Sequence, residues 1–238
     1  MLFNNQNEDH SYWISFTDLV SGFMVVFIVV SLLSLNAKKP DPEPKAAPPI
    51  LEKNEINGRY KEWIENFQRI IKKERWQAIE VADSATIRFS VRATSPEPLF
   101  KEGSSTPTAY FDKILFQFLP YYLSELHQLY LKQDSFIIRE IRIEGHTDSR
   151  NGYISNLKLS SERALAIQEK LLKYCDLKGY DSTFKAFIEK NSIACGYSYS
   201  RRLDKFGKYL TSPEMVEDYA KSRRVELRIL LDYQNKNK

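Results

Sequence analysis

The sequence predicts one amino-terminal transmembrane helix followed by an α+β domain, in which a mixed sheet is backed by helices. Two observations lead to this division. Residues 12–35 form an apolar run of 24 residues without Lys or Arg, and the chain after residue 78 alternates strand-like with helix-like patterns. Because roughly 200 residues follow the run, the chain can form one well-packed domain with a helical extension, but not two large domains.

The apolar run at residues 12–35 is long enough to cross a bilayer, since a helix of this length reaches roughly 36 Å. A cleaved signal peptide is the alternative. It fits less well, because the tail at residues 1–11 has no basic residue and the apolar part is longer than a signal peptide requires. We therefore expect an uncleaved membrane anchor.

Asp18 lies inside this apolar run, where an acid costs on the order of 2.5 to 3.5 kcal/mol, or less when it is off-centre. Helical spacing places Ser15, Ser21 and Gly22 on the same side as Asp18, and small side chains suit close contact with other helices. One interpretation is a carboxyl that takes up and releases an ion, most simply a proton. The alternative is an acid near the interface that hydrogen-bonds to Ser15 or Ser21.

A proline-rich linker and a helix follow the run. Residues 36–53 include five prolines, which favour an extended and semi-rigid chain. Residues 54–77 predict an amphipathic helix, because apolar side chains recur at steps of three and four. These side chains are Ile56, Tyr60, Trp63, Ile64, Phe67, Ile70 and Ile71. The apolar stripe is expected to pack either on the following domain or on a second copy of the chain.

The remaining residues, 78–238, predict one sheet with helices behind it. Alternating apolar side chains indicate strands, and apolar side chains at helical spacing indicate helices. The predicted elements are a strand at 84–93, a helix at 109–131, a strand at 137–145, a helix at 156–174, and two strands that begin at Ser192 and Arg223. A polar stretch between the last two strands is expected to include a short helix after Pro213.

Charge and the scarcity of metal-ligating residues argue against several classes of function. The net charge of +4 comes from 35 basic and 31 acidic residues, a mixed surface unlike a nucleic-acid groove, so no nucleic-acid partner is expected. The three histidines lie far apart and the two cysteines form no CxxC pair, so no metal site is expected. No pair of nucleophile and base emerges either, and we expect no enzymatic activity.

Cys175 and Cys195 are the two cysteines of the chain. The first lies at the end of a predicted helix and the second near the start of a predicted strand. In an oxidising compartment, a disulfide between them is as reasonable as two buried thiols.

The segment from Ile143 to Leu171 carries a recognisable motif. A strand ends before Thr147 and Asp148, Asn156 follows eight residues after Asp148, and the next helix contains the pattern LSxxRA at residues 159–164. This arrangement resembles the OmpA-like peptidoglycan-binding domain. The flanking sequences PLF at residues 98–100, GYS at 196–198 and RRVEL at 223–227 resemble that family too.

The resemblance implies that Asp148 and Arg163 bind the diaminopimelate residue of the peptidoglycan stem peptide. A carboxylate can receive an ammonium, and a guanidinium can bind a carboxylate through two hydrogen bonds. Thr147, Asn156 and Leu159 are the further candidate binding residues. The alternative is that Asp148 and Arg163 pair with each other. The chain departs from the family pattern in an insertion near residues 178–191, in the RRL after GYSYS, and in Ser222, where the family usually has Asn.

The whole chain resembles the B subunits of MotB-type stators, whose ion-carrying aspartate matches Asp18. The sequence TDLxSGFM, which starts at Thr17, more closely resembles that of the stator-like B subunits of the Zorya anti-phage defence system. This resemblance implies a ring of MotA- or ZorA-like subunits around two copies of the chain, with H⁺ as the expected ion and no cofactor. A flagellar motor stator and a passive cell-wall tether are the alternatives.

The orientation in the membrane follows from the resemblance rather than from the charges. Lys38, Lys39 and Lys45 follow the run, and the positive-inside rule alone would place the carboxyl-terminal part in the cytoplasm. Peptidoglycan is periplasmic, however. We therefore expect a single-pass inner-membrane protein with a cytoplasmic tail at residues 1–11 and a periplasmic carboxyl-terminal domain.

Overall fold

The computed structural model describes residues 19–32, 50–76, 78–83, 85–91, 97–132 and 136–233. The chain divides into two compact units, residues 1–48 and residues 49–238. In the first unit, residues 19–32 are helical (α1) and most of their side chains are exposed. Asp18, the tail at residues 1–11 and most of the predicted linker lie outside the described residues. Within the described part of the chain, no helix has both the length and the apolar character needed to cross a membrane.

The second unit contains a five-stranded mixed sheet. Its strands are β1 (Ile79–Asp83), β2 (Thr86–Ser90), β3 (Phe136–His146), β4 (Ser192–Gly196) and β5 (Arg224–Tyr233). They lie in the order β1-β2-β5-β3-β4, and all neighbours are antiparallel except β3 and β4, which are parallel. This architecture confirms the predicted α+β domain with a mixed sheet.

Helices pack against one face of the sheet. They are α2 (Ile50–Glu74), α3 (Ala109–Leu131), α4 (Tyr153–Leu177) and α5 (Ser182–Asn191), and a further short helix, α6 (Tyr219–Ser222), precedes β5. Along β3, Ile141 and Ile143 point into the core under these helices, whereas Arg142 and Glu144 alternate with them and point to the other face. The second face therefore carries charged side chains, which become important below.

Two elements were missed by the sequence patterns. Strand β1 has only five residues, so its alternation is short, and it follows closely on α2, which ends at Glu74 before Arg75 adopts a positive φ of 54°. Helix α5 lies within the insertion at residues 178–191. It is capped by Asp181, whose side chain accepts hydrogen bonds from the backbone of Thr183 and Phe184. In addition, α2 begins at Ile50, inside the predicted linker at residues 36–53.

The apolar stripe of α2 packs on the domain of its own chain, as the first of the two alternatives predicts. Trp63 and Phe67 are buried, and the Phe67 ring lies 5.7 Å from the ring of Phe118 and 6.0 Å from that of Tyr122 on α3. Helix α2 also contacts the sheet, because the backbone N–H of Leu231 donates to the Tyr60 hydroxyl at 2.7 Å. The helix is therefore part of the core of this domain.

The disulfide alternative does not fit the structure, in which Cys175 and Cys195 are free. Cys175 lies in the last turns of α4, and its side chain is buried in the core. Next to Cys195 on β4, Gly196 faces α4, since an added Cβ there would lie 2.5 Å from the Ser160 hydroxyl. Because neighbouring side chains on a strand point to opposite faces, Cys195 points away from α4 and from Cys175.

Candidate functional site

The predicted site residues come together in one cleft at the carboxyl end of β3. The cleft has a volume of about 340 Å³, and its lining includes Thr147, Asp148, Asn156, Leu159 and Arg163. This volume lies at the lower end of the range for small-ligand sites. The structure therefore places all five candidates of the motif around one concave surface.

Two glycines bring α4 close enough to the sheet to form this cleft. A Cβ at Gly145 would lie 2.0 Å from the Ser160 carbonyl oxygen, and a Cβ at Gly196 would lie 2.4 Å from the Ser161 hydroxyl. Any larger residue would push the helix outward. The Ser160 hydroxyl also accepts a hydrogen bond from the backbone N–H of Ser198 at 3.0 Å. The first turns of α4 are thereby fixed beside the end of β3.

Thr147 and Asn156 shape the turn between β3 and α4. The backbone N–H of Thr147 donates to the Ser198 carbonyl at 2.9 Å. The buried side-chain amide of Asn156 donates to the carbonyl oxygens of Asp148 and Asn151, each at 3.1 Å. The eight-residue spacing between Asp148 and Asn156 therefore closes the turn and holds Asp148 at the mouth of the cleft.

Asp148 is ion-paired with two arginines. Its Oδ2 accepts hydrogen bonds from Nε and Nη2 of Arg150 at 3.0 and 2.8 Å and from Nη1 of Arg223 at 2.6 Å. From the described residues, its Oδ1 accepts only the backbone N–H of Arg150, at 3.2 Å. Burial opposes ionisation, but these hydrogen bonds outweigh it and lower the pKa of the Asp148 carboxyl. Asp148 is therefore a carboxylate at neutral pH, with Oδ1 the less occupied oxygen.

Arg163 is buried without an acidic partner. The residue is 6% exposed, its Nε donates to the Ser104 carbonyl at 3.0 Å, and its guanidinium lies 4.9 Å from the centre of the Phe100 ring. Among the described residues, no carboxylate forms an ion pair with it. Burial, together with the nearby charge of Arg223, lowers its pKa to about 10, so it remains a cation at neutral pH.

The predicted alternative, a pair between Asp148 and Arg163, is not formed. Asp148 instead pairs with Arg150 and Arg223, which sequence reasoning did not select as site residues. Arg223 belongs to the flanking sequence RRVEL. That sequence supported the resemblance to the family but did not predict the ion pair with Asp148. Arg223 and Asp148 are 75 residues apart in the sequence, so their contact can be recognised only when β5 is known to lie beside β3.

A group of possible metal ligands lies on the other face of the sheet. Ligand atoms of Glu144, His146 and Glu226, all buried, lie within 4.8 Å of one another. Arginines already engage these carboxylates: Arg201 lies 2.8 Å from Glu144 and Arg224 lies 2.7 Å from Glu226. Such guanidinium groups repel a metal cation. We therefore interpret this group as part of a buried ion-pair network.

The chain was compared with family models and with solved structures. No family model matches the sequence. Similar solved structures include the cell wall anchor of the T6SS from Pseudomonas aeruginosa, with 19% identity, 71% of this chain and 97% of that chain covered, and a TM-score of 0.41. The periplasmic domain of Helicobacter pylori MotB shows 16% identity, coverage of 66% and 83%, and a TM-score of 0.40. The peptidoglycan-associated lipoprotein from Burkholderia pseudomallei shows 20% identity, coverage of 56% and 88%, and a TM-score of 0.35.

A comparison with curated proteins found a protein that is similar over most of the chain. The chain is 29% identical to Zorya protein ZorB of Escherichia coli over 234 residues, which cover 94% of this chain and 90% of that protein. The similarity thus extends over the apolar run, the linker and the domain alike. It confirms the resemblance to ZorB-type subunits that the sequence motifs indicated.

Proposed function

We propose that the cleft binds the stem peptide of peptidoglycan through the zwitterionic end of an amino acid, such as that of diaminopimelate. The observation that carries this proposal is the burial of Arg163 without an acidic partner among the described residues. Its buried guanidinium has lost hydration, and among the described residues the Ser104 carbonyl and the Phe100 ring replace part of it but no carboxylate does. A ligand carboxylate would supply two charge-assisted hydrogen bonds to it.

Asp148 supplies the complementary charge for the same ligand. The ammonium group of the amino acid binds at Oδ1, because Oδ2 already accepts three hydrogen bonds from Arg150 and Arg223. The cleft is lined by the acids Asp148 and Glu102 and by three arginines, and charges of both signs favour a zwitterion over a simple anion or a simple cation. Phe100 and Leu159 line the cleft beside these charges and contact the apolar part of the side chain.

At the level of the chain, we propose a stator-like inner-membrane subunit that is anchored to the cell wall and acts in anti-phage defence. Similarity to ZorB over nearly the whole chain supports this proposal, as does the acid in the apolar run. Residues 12–35 span the membrane, the tail is cytoplasmic and the domain is periplasmic. Two copies lie inside a ring of MotA- or ZorA-like subunits, and Asp18 carries the ion, which is H⁺.

The proposed mechanism couples the charge of Asp18 to rotation of the ring. Neutral Asp18 tolerates apolar neighbours, whereas ionised Asp18 requires a polar partner. Alternation between the two states biases the movement of the surrounding subunits. The wall-bound domain resists the reaction torque, which explains why one chain combines both parts. No cofactor and no covalent step are needed.

Pull-down with purified sacculi tests the wall-binding part of the proposal. We expect Arg163→Gln to weaken binding at least tenfold, because a hydrogen bond between charged groups contributes roughly 1.5 to 3 kcal/mol. The matched control is Arg139→Gln on β3, which removes the same charge from an exposed side chain that is paired with Asp232. Free diaminopimelate should compete with sacculi, and cadaverine, which has no carboxylate, should not. Unchanged binding of the Arg163 variant would refute the proposed site.

A further inference from the structure

A second cleft lies on the sheet face that points away from α3 and α4. It has a volume of about 440 Å³ and is lined by Arg142, Ser200, Arg201, Tyr209, Leu210 and Arg228. Three arginines therefore line it and, among the described residues, no carboxylate does. The proposed stem-peptide site does not use this surface.

One buried carboxylate lies beside all three arginines. Glu144 is fully buried and accepts a hydrogen bond from Nη1 of Arg201 at 2.8 Å. Its Oε1 lies 3.6 Å from Nη1 of Arg142 and 3.4 Å from Nε of Arg228. Side chains that are already ordered lose less conformational entropy when a ligand binds. The arginines are thus preorganised around the cleft.

Arg201 is further oriented by a column of rings. Its guanidinium lies 3.7 Å from the centre of the Tyr197 ring. The Tyr197 ring stacks on the buried imidazole of His146, with centroids 5.2 Å apart and planes inclined by 10°. A guanidinium stacked in this way keeps its N–H groups in the plane parallel to the ring, where they can donate to another group.

Among the described residues, the ion-pair network beneath the cleft combines arginines with carboxylates. Its arginines are Arg88, Arg142, Arg201, Arg224 and Arg228, and its carboxylates are Glu80, Glu140, Glu144 and Glu226. None of the four carboxylates lines the cleft. The three lining arginines have side chains that are still 23 to 36% exposed, so they remain accessible from solvent.

We propose that this cleft binds a phosphate group, with Arg142, Arg201 and Arg228 as the cationic donors. A phosphate presents several acceptor oxygens in different directions and can contact three guanidinium groups at once, whereas a carboxylate is satisfied by a single planar fork. Tyr209 lines the same cleft and adds a hydroxyl donor, whereas the Ser200 hydroxyl already donates to the Tyr197 carbonyl. Both inorganic phosphate and the headgroup of a phospholipid carry this chemistry.

Titration of inorganic phosphate into the full chain tests the proposal. The protein is held in a detergent without phosphate, and the arginine Nε–H signals are followed by NMR. We expect a saturable shift in the wild type and at least tenfold weaker binding in Arg201→Gln. The matched control is Arg202→Gln, which removes the adjacent charge from a side chain that lies 3.8 Å from Glu217 and does not line the cleft. This control should bind phosphate as the wild type does.

Further outcomes distinguish the alternatives. Absence of a saturable shift in the wild type, or equal weakening in both variants, would overturn the proposal, since equal weakening reports only the net charge. If Arg201→Gln does not fold, Arg201→Lys keeps the charge but loses the planar fork, and it should still bind more weakly than the wild type. Tighter binding of glycerophosphoglycerol than of phosphate would assign a lipid headgroup, and the reverse order would assign the free anion; either result supports the site.

Discussion

At the scale of single residues, Glu226 shows how the fold stabilises a buried charge. Its Oε1 accepts hydrogen bonds from Nε of Arg224 at 2.7 Å and from Nε of Arg88 at 2.8 Å. Burial opposes ionisation, but the charges of Arg224, His146 and Arg88 outweigh it and lower the pKa of Glu226 to about 2. In the unfolded chain the same carboxyl titrates near its ordinary value, about 4.3.

We expect Glu226→Gln to lower the free energy of unfolding at pH 7 by about 3 kcal/mol, because it removes the buried carboxylate that pairs with Arg224 and Arg88 and leaves Arg88 with the half-exposed Glu80. A lowered pKa contributes stability above the pKa of the unfolded group, and that stability is lost as the pH falls toward the folded value. The difference between wild type and variant should therefore shrink from about pH 4.5 to about pH 2. Urea unfolding at several pH values measures it.

The control for this experiment is Glu62→Gln, which removes an exposed acid that lies 3.5 Å from Arg59 on α2. An exposed pair of this kind contributes little, so the variant should unfold like the wild type. If the effect of Glu226→Gln were the same at pH 7 and at pH 2.5, the ion pairs would not be its cause.

The sequence predicted part of the site at this scale because that part is local. Thr147, Asp148, Asn156 and Arg163 lie within 17 residues of one another, and a motif records their spacing. The ion pair between Arg88 and Glu226 joins residues 138 apart in the sequence. Such a contact depends on the order of strands in the sheet, which no local pattern contains, and the whole network on the second face was therefore missed.

At the scale of elements, the close contact between α4 and the sheet depends on glycine. We expect Gly145→Ala to lower the free energy of unfolding by about 3 kcal/mol, because the new Cβ would lie 2.0 Å from a backbone oxygen that cannot move aside. Sacculus binding should weaken too, since the start of α4 carries Asn156 and Arg163. Thermal unfolding and pull-down measure the two effects.

The control is Gly58→Ala, which should raise the free energy of unfolding instead of lowering it. Gly58 lies inside α2 and has open space around its Cα, so alanine should stabilise the helix by up to about 1 kcal/mol. A stabilising effect of Gly145→Ala, like that expected for Gly58→Ala, would show that the lower entropy of the unfolded chain outweighs the contact with α4.

Helix α2 provides a second prediction at this scale. Phe67 is fully buried between α2 and α3, and its ring lies 4.5 Å from that of Trp63. We expect Phe67→Ala to cost about 3 to 5 kcal/mol of unfolding free energy, whereas the exposed Gln68→Ala should cost less than about 0.5 kcal/mol. A change of oligomeric state without loss of stability would contradict packing within one chain and favour pairing of α2 with a second copy.

The elements themselves were predictable to different degrees. Helix α3 was predicted at its observed bounds, because its apolar period is sustained over 23 residues and Thr108 caps it. Strand β1 and helix α5 were missed. Both are short, with five and ten residues, and their folding depends on packing against β2 and against the core. Local periodicity is weak in segments of this length.

At the scale of the whole molecule, the two proposed activities lie in different units of the chain and should be separable by mutation. Arg163→Gln removes the wall contact, and Asp18→Asn removes the ion-carrying acid. If both are needed for one motor, each variant alone abolishes activity in cells while the protein is still made. A passive tether, in contrast, would need Arg163 and not Asp18.

The decisive variant is Asp18→Asn in cells that carry the native operon, with phage plaquing and swimming motility as the two measurements. Asparagine has nearly the shape of aspartate but cannot exchange a proton, so we expect complete loss of phage protection with normal assembly and normal swimming. The matched control is Asp9→Asn, which removes the same charge from the tail outside the apolar run. Loss of swimming instead would assign the chain to the flagellar motor. Full protection in Asp18→Asn cells would refute the ion-carrying role and leave the domain as a passive anchor, because an uncharged span can still hold it at the membrane.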